Sequence, residues 1–425
     1  MLSETCKKGY LAILKEELIQ ATGCTEPIAI AYCAAVLRKV LGALPEEVTA
    51  EVSGNIIKNV KSVVVPNTDG LKGLTIAVAA GLVAGRAEKQ LQVISQVSEA
   101  EKAQIAEYVE NTPIAIRCAD TPCILDIALR GRAGTDSAYV RIANNHTNVA
   151  RVERNGEVLL DKPVTASAEE NLQDKSILNI HDIVLFADEV DTALLQPLLD
   201  PQIQCNSAIA EEGLRNSYGA CIGSIMLDAY GRDNVKVEAA AYAAAGSDAR
   251  MSGCELPVVI LSGSGNQGIT ASLPVIRYAR HLGSTQEELY RALALSDLVA
   301  IQQKAGIGRL SAYCGAISAG VGAGAGIAYL LGGREHAIAH TVSNAIAILS
   351  GTICDGAKPS CAAKIASAVN AGILGYEMYR HQTEFLRGEG IVASHVDSTI
   401  SNVGRLAREG MKETDKVILQ IMTGC

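Results

Sequence analysis

Between Leu310 and Leu331 the chain carries no charged residue. A run of that length must be buried, either in a bilayer or inside protein. Tyr313 and Tyr329 near its ends, with Arg309 and Arg334 outside, have the placement of interfacial anchors. Its content argues for the other solution. SAYCGAISAGVGAGAG is built largely from Gly, Ala and Ser, and it stands alone in a chain otherwise patterned as soluble. The expectation is a helix enclosed by other helices, which approach it closely through its small residues. The remaining composition suits such an interior: aromatics are 4% of 425 residues, with no Trp and two Phe, against 48% hydrophobic residues and 39 Gly. A core of Ala, Val, Ile and Leu favours tightly packed helices over a sandwich or barrel.

At 425 residues the chain exceeds what one hydrophobic core usually serves, so two domains are expected. Spacing predicts a helix over about 4–20, the loop TGCTEP, and a second helix from Pro27 to about Leu41, with Thr25 and Glu26 as capping residues. VTAEVSGNIIKNVKSVVVP alternates like strands around a Gly-Asn break, and LTIAVAAGLVAG reads as a small-residue helix. From about 91 to 185, LQVISQ, IAIRCA, ILDIALRG, AYVRIANNHTNVARVERNG and EVLLDKP are short alternating runs, with a helix around SEAEKAQIAEYVEN and a hairpin at ERNG. From about Ile180 onward the spacing is helical. The fold class is therefore α+β. An α/β domain over 1–185, with a mixed or antiparallel sheet, carries the TGCTEP loop, and a larger, mostly α-helical domain over 186–425 follows.

Net charge is −9 and no dense Lys/Arg block occurs, which argues against nucleic acid and against an anionic membrane surface as partners. MLSETCKKGYLAILKEEL has neither the apolar stretch nor the cleavage site of a signal peptide, so a cytoplasmic protein is expected. The expected partner is a small molecule, and a homodimer is left open because the sequence does not fix oligomeric state. With twelve cysteines and no export signal, clustered cysteines are read as metal ligands or nucleophiles rather than as disulfides. Cys33, Cys205 and Cys221 sit among apolar or small residues and read as core fillers, and Cys425 as part of a frayed end.

Four segments carry candidate chemistry. In SGTICDGAKPSCAAKIASA, Cys354 and Cys361 are seven apart across a turn-rich loop before an Ala-rich helix, and Cys314 opens another Ala/Gly helix. Three thiolates without an evident fourth suit a 4Fe–4S cluster whose remaining iron is open to substrate as a Lewis acid. By spacing alone, buried structural cysteines are the more ordinary outcome, and zinc with an added His is a third. TGCTEP puts Cys24 at a loop-to-helix turn, where a thiolate could abstract a substrate proton or the segment could simply cap the helix. GNIIKN offers Asn55, Lys58 and Asn59. SGSGNQG, from Ser262 to Gly268, is suited to cradling a carboxylate, although such loops are usually mere connections and this one lacks the Walker lysine. His336 and His340 lie one helical turn apart but do not form HExxH, so paired structural histidines are the plainer reading; His395 follows a Gly-rich break.

TGCTEP, GNIIKN with VVVPNTDG, NNHTN, SDARM, SGSGNQGIT and ICDGAKPSC occur in this order along nearly the whole chain. Together they resemble the cysteine desulfidase family, which is related to the iron–sulfur L-serine dehydratases. The resemblance implies a PLP-independent carbon–sulfur lyase. Its 4Fe–4S cluster would be held by Cys314, Cys354 and Cys361 with one open iron site, and Cys24 would be the base at Cα. Thr25, Asn55, Ser264, Asn266 and Gln267 are the candidates for orienting the amino acid. The products implied are hydrogen sulfide, pyruvate and ammonia. The alternatives are an L-serine dehydratase of the same mechanism and a non-catalytic iron–sulfur sensor or binding protein. The Cys in TGCTEP favours the desulfidase branch, because the related serine enzymes carry a His-containing loop there.

Overall fold

The structure is a computed structural model that describes residues 1–164, 173–308 and 311–423. Cys425, Arg309 and Leu310 thus lie outside the described residues. The first part runs α1 (Glu4–Glu17), β1 (Ile19–Thr22), α2 (Thr25–Leu41), β2 (Glu47–Val52), α3 (Gly54–Val60), α4 (Leu74–Ala84) and α5 (Glu99–Asn111). Five strands follow: β3 (Ile114–Cys118), β4 (Asp126–Ala133), β5 (Asp136–Ala143), β6 (Val149–Arg154) and β7 (Glu157–Asp161). Then come α6 (Ile180–Glu189), α7 (Thr192–Arg215), α8 (Ile222–Tyr230), α9 (Val235–Met251), β8 (Pro257–Ile260), α10 (Gly265–Leu282) and α11 (Gln286–Ile307). The chain finishes with α12 (Gly315–Leu330), α13 (Glu335–Leu349), α14 (Cys361–Arg380), α15 (Val396–Arg405) and α16 (Lys412–Thr423). The fold is α+β, as the sequence pattern implies.

A six-stranded sheet has the order β3-β2-β4-β5-β6-β7. Only β2 and β3 pair in parallel, through the crossover made by α3, α4 and α5. The sheet is therefore mixed. Val48, Ala50 and Val52 of β2 and Ala138, Val140 and Ile142 of β5 are buried at alternate positions, the period-2 signature of a half-buried strand, whereas β4 is buried throughout Asp126 to Leu129. α2 packs against β4 and β5, and the buried Cys33 thiol donates to the Val140 carbonyl at 3.5 Å.

The sequence boundary at 185 is bridged in space. β1 pairs antiparallel with β8, Ile19 opposite Ile260 and Thr22 opposite Pro257. α1 docks on the helical part through Tyr10, whose ring meets Phe186 at 5.4 Å and whose hydroxyl donates to the Ile177 carbonyl. This pairing carries the segment 23–26, just beyond β1, to the loop that follows β8.

Two expected strands are absent. GNIIKN forms α3, where Ile56, Ile57 and Val60 are all buried, a helical rather than an alternating spacing. LQVISQ ends a 3-10 segment and continues in turns, because adjacent Val93 and Ile94 are both buried.

The uncharged run forms α12, enclosed by α10, α11, α13 and α14. Its glycines set the packing distance. A Cβ on Gly320 would meet the Ala368 backbone at 2.5 Å, and one on Gly324 would meet Gly372 at 2.6 Å. Among the described residues no helix is long and apolar enough to cross a membrane.

Candidate active site

Four helices begin at one cavity. Cys24 is the N-cap of α2, Ser264 of α10 and Cys314 of α12, while Cys361 is the first residue of α14. All four residues line the same cavity, together with Cys354. None of these four helix starts carries a side-chain cap hydrogen bond. Each helix start contributes a partial positive charge of about half a unit there, although in α14 the N–H groups of Cys361 and Ala362 already donate to the Lys358 and Pro359 carbonyls. Four together make roughly +2. Such a place favours a carboxylate or a thiolate-bound inorganic centre. The buried cations Lys58, Arg250 and Lys304 strengthen it: Arg250 and Lys304 line the cavity and Lys58 acts on Cys354.

The cysteines come together by backbone means. Cys314 N–H donates to the Thr352 carbonyl at 3.1 Å and Cys354 N–H to the Ala312 carbonyl at 2.6 Å, around a bridge between Tyr313 and Ile353. Gly356, at φ +95°, follows Cys354; a Cβ there would meet the Lys58 carbonyl at 2.2 Å, so only glycine lets the loop come this close. The Cys361 thiol lies 3.7 Å from the Gly356 carbonyl. The hydrogen bond from Cys314 holds Cys354 well below the ordinary thiol range against the cost of burial, with Lys58 and Lys304 assisting. Cys314 is pushed up by the same contact and by burial. Burial also raises Cys361.

Cys24 packs with Val63 and Met251 against Ala357 and Cys361, so its thiol adjoins the cysteine loop. Its Sγ lies 3.3 Å from Glu26 Oε2 and donates to it. Burial first, then the Glu26 carboxylate, push the Cys24 thiol up, with Arg250 opposing. Glu26 is gripped from two further sides, by Thr25 Oγ1 at 3.0 Å and Asn59 Nδ2 at 3.2 Å. The same Thr25 hydroxyl lies 2.9 Å from the Gly263 carbonyl, so its one proton is shared between that carbonyl and Glu26, and it ties the start of α2 to the 262–268 loop.

That loop turns sharply, with Ser262 at φ +49° and Gly263 at φ +78°. Arg250 spans the site from below: Nε donates to the Gly23 carbonyl and a terminal nitrogen to Asn266 Oδ1, both at 3.1 Å. A Cβ on Gly265 would meet Arg250 Nε at 2.2 Å. With Asn266 Oδ1 engaged, its amide hydrogens are the group left to offer. Gln267 lies against Gly315, and its buried Oε1 accepts no hydrogen bond from the described residues, so the cavity wall carries an acceptor ready for a ligand donor.

Of the residues singled out from sequence, Cys24, Ser264, Asn266, Gln267, Cys314, Cys354 and Cys361 line the cavity. Thr25 is buried beside it, committed to Glu26 and Gly263. Asn55 is not in the lining; Asn59, one helical turn further along α3, is. Lys58 pairs with Asp415, which fastens α16 over α3. His395 lies in a separate hollow with His340. Glu26, read from sequence only as a helix cap, also lines the cavity, as do Arg250, Lys304 and His146, which were not assigned roles from sequence. Their signal was available: SDARM places Asp248 and Arg250 inside an Ala-rich run, where buried charge requires partners.

A larger polar hollow of about 570 Å³ adjoins the cavity, sharing Ser262 and Lys304 with it. It is lined by Glu17, Lys175 and Asp397 but by no cysteine. The thiols of Cys24, Cys314, Cys354 and Cys361 line the smaller cavity. Every described cysteine is free. Among the described residues no three His, Cys, Asp or Glu side chains converge on a single ion. A cluster asks for less convergence than zinc does, since each thiolate binds a different iron.

Residues 88–420 match the family described as the serine dehydratase alpha chain. A UPF0597 protein of Desulfitobacterium hafniense is 57% identical over 413 residues, covering 97% of this chain and 96% of that one. Others of the same designation come from Lachnoclostridium phytofermentans, at 49% identity over 98% of this chain and 99% of its own, and from Treponema denticola, at 44% over 99% of each. The family match takes in the 262–268 loop and the three converging cysteines; Cys24 and Glu26 precede it and are covered by the full-length relatives.

Proposed function

The chain belongs to the serine dehydratase alpha chain family, and from that membership we propose that it is an iron–sulfur lyase that releases hydrogen sulfide from L-cysteine by β-elimination. Pyruvate and ammonia are the other products. One observation carries the reading: Cys24, Cys314 and Cys361, at three converging helix starts, and Cys354, in the adjoining loop, line one cavity. The first three would hold a 4Fe–4S cluster, and the positive helix ends and buried lysines fit an anionic group there. When bound, the cluster supplies an open, soft Lewis-acidic iron suited to the departing sulfur, without pyridoxal phosphate.

The chain's own residues supply the rest. Uncapped N–H groups at the start of α10, with the Asn266 amide, receive the substrate carboxylate. Gln267 Oε1 accepts a hydrogen from the α-ammonium, filling its missing partner. Cys24 is the base at Cα. Its thiol proton passes first to Glu26 Oε2, at 3.3 Å, a transfer that burial makes uphill and the Arg250 charge eases, and the strongly basic thiolate so formed takes the Cα proton. The C–H electron pair becomes the Cα=Cβ bond, and the Cβ–S bond breaks with its pair on sulfur. Aminoacrylate leaves, tautomerises to the imine and hydrolyses to pyruvate and ammonia. Thr25 and Arg250 position this apparatus, Thr25 by joining α2 to the loop and Arg250 by fixing Asn266.

The family description favours a second reading, L-serine as substrate with hydroxide expelled by the same steps. Steady-state kinetics on anaerobically reconstituted protein separate the two. The desulfidase reading expects kcat/KM for L-cysteine to exceed that for L-serine by at least about tenfold, ~1.4 kcal/mol in the transition state. A ratio reversed in favour of serine makes the protein a dehydratase.

A further inference from the structure

We propose that His336 and His340 form a binding site for a late first-row divalent cation, with Glu384 orienting one of the two ligands. α13 sets the residues one turn apart, and their Nε2 atoms are 3.2 Å from each other. Two imidazoles bound to one ion at about 2.0–2.1 Å bring their nitrogens about 2.9 Å apart at a right angle and about 3.3 Å apart at the tetrahedral angle. The observed separation falls inside that range.

The surroundings prepare the pair for an ion. His340 Nδ1 contacts the Glu384 carboxylate, which holds the ring proton on Nδ1 and turns the Nε2 lone pair toward His336. A carboxylate behind a histidine ligand is the recurrent support of metal-bound imidazole. Tyr379 packs against both rings, with centroids 5.7 and 5.8 Å away, and limits their rotation. Without an ion, one Nε2–H donates to the other Nε2; with an ion, both lone pairs point at it and the His336 proton moves to its Nδ1.

None of these residues lines the active-site cavity. Among the described residues no third His, Cys, Asp or Glu completes the set. Water fills the remaining positions, which makes the ion exchangeable. Imidazole donors suit zinc, nickel or copper rather than magnesium or calcium.

The test is calorimetric titration of Ni²⁺ into the cluster-loaded protein under anaerobic conditions, with His336→Ala, His340→Ala and Glu384→Gln in parallel. His336 is exposed, so its truncation leaves the fold intact, and the metal-free melting temperature checks each variant. The same binding event is expected to vanish in both histidine variants and to weaken about 10–100-fold in Glu384→Gln. Wild-type affinity in either histidine variant overturns the site. Unchanged affinity in Glu384→Gln removes the carboxylate from it.

Discussion

Helices that begin at the surface of this protein and helices that begin at its cavity are started differently. α5 and α11 open with full capping boxes, Ser98 with Glu101 and Thr285 with Glu288, and α1, α6, α7 and α9 are capped by Ser3, Asn179, Asp191 and Asn234. At the cavity, α2, α10, α12 and α14 begin at Cys24, Ser264, Cys314 and Cys361 with no side-chain cap. A missing cap alone is not diagnostic, since α13 and α15 also lack one. The distinguishing feature is four such starts meeting, with thiols at the cap positions of α2 and α12, a hydroxyl at that of α10, and Cys361 opening α14. Surface caps satisfy the helix; at the cavity the starts of α2, α10 and α12 are left without a side-chain partner, and α14 closes its first turn on the Lys358 and Pro359 carbonyls.

The comparison breaks most completely at the thiols. Cys354→Ala should abolish both the iron–sulfur absorbance and turnover while leaving the circular dichroism spectrum intact; turnover with no absorbance would remove the thiolate from the cofactor. Next in size is Cys24→Ser, expected to lower kcat by about 10²–10⁴-fold with the cluster spectrum retained. A smaller loss indicates that the α-proton goes elsewhere. Gln267→Ala should raise KM about tenfold, the worth of one good hydrogen bond to a charged group, as read from initial rates. The smallest effects sharpen the contrast itself. Thr285→Ala should cost about 1 kcal/mol in chemical denaturation with kcat unchanged. Ser264→Ala should cost less stability than that, because its hydroxyl caps nothing, and should instead raise KM. Equal losses of stability in these two variants would erase the distinction.

Much of this was legible in the residues. The uncharged run of α12 implied a buried helix, and the glycines that meet α14 show how closely it is packed. Cys314, Cys354 and Cys361 stood out by their loops, and the 262–268 segment by its composition. The sequence did not reveal that β1 pairs with β8, an association across more than half the chain that only tertiary packing decides. That pairing delivers Cys24 and Glu26 to the cysteine loop. Reading GNIIKN as strand hid α3 and drew attention to Asn55, whereas the helical turn brings Asn59 onto Glu26. Glu26 itself read as an ordinary first-turn acid, because its partners Cys24, Asn59 and Thr25 are recognisable only once the helices meet.

The central claim is that the uncapped helix starts hold a cluster which, with Cys24, cleaves a carbon–sulfur bond. Its most direct test is sulfide and pyruvate release from L-cysteine by protein purified and iron–sulfur-reconstituted without oxygen, alongside Cys354→Ala treated identically. The account predicts equal amounts of sulfide and pyruvate from the wild type, in proportion to cluster content, and none above background from the variant. A wild-type protein that holds a full cluster and releases no sulfide would contradict it.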